Sequence, residues 1–235
     1  MYSYYISYVL LVVAMLFAAG AQSKVSRTFS RYSRVRNSSG MTGAQAARRV
    51  LDSNGLNDVR IGQISGKLTD NYNPKDRTLY LSSGVYAVDS VGAVSVACHE
   101  AGHAIQHANG YAPLKIRNSI VPLVNFASNL TWPLIIVGII LLSVGSGEYG
   151  YIGNLVFNIG IYTFLAVIAF HLITLPVEFN ASHRALKQMT ELSIVSPEDL
   201  VGSRKVLHAA AMTYVAALAV AFANLLRLLA IRGRN

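Results

Sequence analysis

Apolar residues in this chain gather into four long runs, near positions 4–21, 119–147, 152–177 and 206–226. Each is near or above the roughly 20 residues a helix needs to cross a bilayer. The pattern therefore predicts four membrane-spanning helices. Between the first two runs, residues 22–118 have mixed polarity and shorter periods. Thr42 reads as an N-cap, Ala46, Ala47, Val50 and Leu51 as one apolar helix face, and Asn54-Gly55 as its end. Val59–Ile64 alternates weakly, Lys67–Asp76 is rich in turn residues, and Arg77–Ser82 reads as a short strand. From Ser90 to Ala108, Val91, Val94, Cys98, Ala101 and Ile105 recur at helical spacing, with Gly110 at a C-cap position. An extended strand just before that helix offers a free edge on which a peptide can pair.

The expected fold is mainly α: multi-pass membrane helices with a small α+β, zincin-like catalytic region. The expected segments are an N-terminal anchor (1–21), a cytosolic-side catalytic region (22–118) and a transmembrane hairpin (119–177). A cytosolic segment (178–205) and a last span (206–235) follow. Basic residues set the orientation. Met1–Tyr5 carries no positive side chain, whereas Lys24, Arg27, Arg31, Arg34 and Arg36 follow the first run. That favours a retained anchor over a cleaved signal peptide, with residue 22 onward inside. The Gly-rich loop 143–150 has no Lys or Arg, and 178–205 carries Arg184, Lys187, Arg204 and Lys205. Arg227, Arg232 and Arg234 run against this topology at the end of the fourth span.

Composition agrees with a membrane location. Of 235 residues, 53% are hydrophobic and 13% charged, against about 25% charged in a soluble domain. The net charge of +9 clusters beside the spans, where it meets lipid headgroups. No aromatic-basic interleaving points to nucleic acid. One cysteine excludes an internal disulfide.

The predicted 90–108 helix carries the chemistry: His99-Glu100-Ala101-Gly102-His103. Two imidazoles four residues apart share a helix face about 6 Å apart along the axis, a spacing that suits one Zn²⁺. Glu100 points about 100° away from His99. It can serve a metal-bound water as general base without ligating the metal.

A catalytic zinc needs a third protein ligand. His107 lies about 12 Å from His99 along an unbroken helix, too far to share a zinc with it. His171 lies inside the third apolar run, and His208 at the start of the fourth. Glu178, just past the third run, is costly at a span end unless solvated or paired. As a solvated first-turn residue after Pro176 it is about equally well explained.

The chain resembles the YugP-type family of membrane-embedded neutral zinc metallopeptidases, and in motif logic the gluzincin proteases such as the CAAX prenyl proteases and HtpX. The resemblance rests on Gly66–Pro74, Val96–His107, Pro176–Ser182 and Ala209–Ala217. It implies that His99, His103 and Glu178 hold one zinc ion and that Glu100 is the catalytic general base. Two departures stand out. A loop usually read Asp-His-Tyr-Asp-Pro has Asn71 and Asn73 here. Ser182 occupies a position where the prenyl-protease-like group often has an Asp supporting a ligand His. Support is therefore expected from elsewhere, with Asn180 the candidate beside Ser182. His183 and Arg184, about one and a half turns past Glu178, are candidate oxyanion stabilisers.

The expected function is a membrane-embedded zinc metalloendopeptidase, acting on peptide or protein substrates that include membrane proteins. The alternative is a non-catalytic metal-binding membrane scaffold or chaperone, which has no chemical need for Glu100. A transporter would place its polar groups at mid-membrane rather than beside a soluble strand region.

Overall fold

We describe residues 2–145 and 147–233 of the computed structural model. It is mainly helical. The order is α1 (Tyr2–Tyr32), α2 (Gly43–Ser53), β1 (Arg60–Ile64), β2 (Asn71–Asn73), β3 (Thr78–Ser82), α3 (Ser83–Tyr86) and α4 (Val91–Ala108). Three long helices follow: α5 (Ala112–Val144), α6 (Glu148–Glu191) and α7 (Pro197–Arg232). Four helices, α1, α5, α6 and α7, are long and apolar enough to cross a membrane.

All four outrun their apolar segments. The basic stretch after Ala21 continues α1 to Tyr32. Lys and Arg are good helix formers, so the turns persist after the apolar residues stop. Glu178 does not open a new helix after Pro176. Pro176 lies inside α6, which runs unbroken from the third apolar run through Glu178 to Glu191.

The described residues divide into two compact units. One comprises those up to Ala19, then Ile116–Thr174 and those from Tyr214 on. Ile135, Phe157, Ile161, Phe164, Ile168, Ala221 and Leu228 form its main buried cluster. Thr131 Oγ1 donates to Thr163 Oγ1 at 2.9 Å, joining α5 to α6, whereas Asn154 bonds Gly150 O within its own helix. The Arg227 guanidinium stands 5.7 Å from the Tyr8 ring centroid and 5.9 Å from that of Trp132. This cation–π packing accounts for a charge that the span pattern alone left unexplained.

The other unit comprises Gly20–Lys115 and Leu175–Thr213. Thr42 caps α2 in a capping box with Gln45, and Asn54 closes it. Its buried face, including Ala46, Ala47, Val50 and Leu51, packs against α4. The sheet order is β1-β3-β2, with β1 parallel and β2 antiparallel to β3. Two expectations change here. Asn71–Asn73, read as part of a turn-rich loop, is a strand. The strand before α4, expected to have a free edge, is β3 and is hydrogen-bonded on both sides. Its burial explains this: Leu79 and Leu81 are fully buried in the unit's core with Val50, Leu51, Val94, Ala97 and Met189.

Candidate metal centre

Ser90 Oγ accepts from Ala93 N at 3.1 Å and starts α4. Asn109 caps its end, with Gly110 beyond at φ 64°. The helix is lined with small residues. A Cβ on Gly102 would stand 2.6 Å from the carbonyl oxygen of Ala181 on α6. Only glycine permits that approach, and it brings the His99–His103 face of α4 against the Glu178 turn of α6.

His99 Nε2 lies 3.3 Å and His103 Nε2 3.6 Å from Glu178 Oε2. The two imidazoles meet edge to face, with centroids 4.8 Å apart. The three donors lie within 4.8 Å of one another and form a group that could hold a metal ion. Zinc fits this set. With Zn–N and Zn–O bonds near 2.1 Å, ligand atoms at the corners of a tetrahedron stand about 3.4 Å apart. The two measured His–Glu separations bracket that value.

The outward ring nitrogens are also engaged. His99 Nδ1 is 3.1 Å from Ser182 Oγ. Of the two supporting candidates, Ser182 is the one within hydrogen-bond distance of His99. His103 Nδ1 is 3.0 Å from Gln106 Oε1. Gln106 Nε2 donates to Val177 O at 2.8 Å and Asn180 Oδ1 at 3.0 Å. Both acceptors face the amide nitrogen, so Oε1 must face His103. His103 therefore donates from Nδ1, which leaves Nε2 on the Glu178 side. Asn180 does take part, but through Gln106 and on the other histidine. Sequence reasoning passed over Gln106. Its only local signal is its position one turn after His103.

Arg184 Nε donates to Asn180 Oδ1 at 2.7 Å, three hydrogen bonds removed from His103 by way of Asn180 and Gln106. His183 is exposed, and no described contact joins it to the three donors. His107 Nδ1 pairs with Tyr72 Oη at 2.9 Å, and neither His171 nor His208 belongs to the donor group.

Glu100 is buried. Burial pushes its carboxyl up to about 7. His99 and the Tyr72 backbone N–H oppose the rise, while Glu178 and Asp70 add to it. A carboxyl poised near neutrality beside a ligand set suits proton transfer. Cys98 is fully buried, and burial lifts its thiol to about 12. It behaves as a packed core residue.

The family described as "Putative neutral zinc metallopeptidase" matches residues 7–233. The chain belongs to this family. It is also 46% identical over 218 residues to a protein of Bacillus subtilis (strain 168) named "Putative membrane protease YugP". The match covers 93% of this chain and 92% of that protein. No solved structure matches the chain. Among the described residues of this family member, His99, His103 and Glu178 are the group that could hold a metal.

Proposed function

We propose that this chain is a multi-pass, membrane-embedded zinc metalloendopeptidase of gluzincin type, with one zinc per chain. The observation that carries the reading is the convergence of His99, His103 and Glu178, from two helices, beside the buried carboxyl of Glu100. His99 Nε2, His103 Nε2 and Glu178 would hold the ion. When bound, zinc would supply Lewis acidity and lower the pKa of a water to about 7. Glu100 accepts a proton from the attacking water on a carboxylate oxygen and returns it to the leaving amine nitrogen of the peptide. Ser182 and Gln106 hold the two imidazoles in the orientation that keeps both Nε2 atoms on the site. Arg184 anchors Asn180 and so acts as a positioning residue. The α4 helix with its three-stranded sheet plays the part of a zincin-like half-site.

The basic residues after the first apolar run and around 184–205 favour a cytosolic-side site. Substrates are then membrane proteins with exposed segments, or peptides at the membrane surface. A scaffold gains nothing from a buried ionisable group, and burying the Glu100 carboxyl carries a desolvation cost.

The test is Glu100→Gln in full-length protein reconstituted in lipid nanodiscs. Hydrolysis of a mixed peptide library should fall by about 10²–10⁴-fold while zinc is retained. Cleavage at the unaltered rate would remove Glu100 from the mechanism.

A further inference from the structure

A second site lies where α1 and α7 meet, away from the three metal donors. A cavity of about 280 Å³ is lined by Lys24, Arg27, Thr28, Arg31 and Tyr32 of α1 and by Lys205 and His208 of α7. On α1 the lining positions run i, i+3, i+4, i+7, a single helix face. On α7, Lys205 and His208 are one turn apart. No acidic side chain lines the cavity. Among the described residues, no ion pair to a carboxylate engages Lys24, Arg27, Arg31 or Lys205.

The two faces are held together by packing rather than by charge. A Cβ on Gly202 would stand 2.6 Å from the Tyr32 ring and 3.0 Å from Val91 Cγ1. The glycine lets the ring lie against α7 and fixes the cations of both helices around one space. Like charges one turn apart repel, as Lys24, Arg27 and Arg31 must, and Lys205 adds a fourth charge from the facing helix. An anion in the cavity reverses the sign of every one of these interactions.

Its level along the helices says which anion. Lys24 comes three residues after Ala21, where the first apolar run ends, and His208 lies in the first turn of the last run, which begins near residue 206. Both helices turn from charged to apolar at the cavity. A molecule with a phosphate at this level and hydrocarbon beyond it satisfies both halves, and a soluble anion satisfies only one. We propose that this cavity binds the phosphate of an anionic phospholipid headgroup, with Lys24, Arg27, Arg31 and Lys205 as its cationic ligands and the Thr28 hydroxyl as a neutral donor. The proposal is independent of peptidase activity.

Full-length protein in neutral detergent should be titrated calorimetrically, at fixed ionic strength, with dihexanoyl phosphatidylglycerol, dihexanoyl phosphatidylcholine and inorganic phosphate. Saturable binding of the phosphatidylglycerol is expected, with both other probes at least about tenfold weaker. Arg27→Gln/Arg31→Gln should weaken phosphatidylglycerol about 30-fold, from the usual contribution of a cation near an anionic surface. Arg34→Gln/Arg204→Gln removes as much charge nearby but outside the cavity, and should stay within about threefold. Should the first pair not be recovered folded, Lys205→Gln on the other helix should weaken binding about fivefold. Absence of saturable phosphatidylglycerol binding overturns the proposal. Equal weakening by the two charge pairs, or no weakening by Lys205→Gln, overturns the site. Phosphate binding as tightly as phosphatidylglycerol overturns the lipid as its source.

Discussion

Gln106 Oε1 accepts from His103 Nδ1 at 3.0 Å, while the same amide's nitrogen donates to two oxygens of α6, Val177 O and Asn180 Oδ1. One fully buried side chain therefore sets the tautomer of one histidine and ties α4 to the turn that carries Glu178. Gln106→Leu keeps the volume and removes all three bonds. Zinc affinity should fall about 10–100-fold, the usual effect of losing a partner behind a ligand, measured by competition with a chromophoric chelator. Unchanged affinity would mean that His103 needs no such support.

Arg184 distinguishes two roles by two readouts. As an anchor of Asn180, Arg184→Ala should lower zinc affinity a few-fold, by about 1 kcal/mol for one lost hydrogen bond, and leave kcat of the zinc-saturated protein nearly unchanged. A large loss of kcat with zinc affinity intact would instead place the guanidinium on the reacting carbonyl.

Gly102→Ala tests the approach of α4 to α6. The added methyl would stand 2.6 Å from a backbone oxygen that cannot rotate away. Overpacking of this kind costs about 1–3 kcal/mol. The variant should melt earlier and bind zinc more weakly. Gly84→Ala, where nothing lies within 4 Å of the new Cβ, should do neither.

Much of the fold was legible because membrane spans announce themselves by length and apolarity, and because the His99–His103 spacing can be read on any helix. The shortfalls share a cause. The extension of α1 to Tyr32 carries no apolar run, and Pro176 within α6 reads as a boundary. Gln106 acquires its task from Val177 and Asn180, more than 70 residues away, so nothing beside it in the chain reveals the role. Ser182 stands where an Asp is the usual partner, and no local pattern tells whether its shorter side chain reaches His99. At 3.1 Å from His99 Nδ1, it is close enough to accept the ring proton. The central position of β3 depends on Asn71–Asn73 forming a strand, and two asparagines around a single tyrosine in a turn-rich stretch give no such pattern.

Cys98 stands next to His99 yet should be inert. It is fully buried and its thiol is lifted to about 12 by that burial. The thiolate is the reactive form. At pH 8 the folded protein should therefore not react with a disulfide reagent such as dithionitrobenzoate, and should release one equivalent of chromophore only on unfolding. Prompt labelling of the native protein would contradict the packing described for α4.

The most direct test of the central claim is the zinc content per chain, measured by mass spectrometry of the elements in purified full-length protein, in Glu100→Gln and in Glu178→Ala. About one zinc is expected in the first two and a large loss in the third, because Glu178 is proposed as a ligand and Glu100 is not. A zinc-free parent protein, or Glu178→Ala retaining a full equivalent, would contradict it.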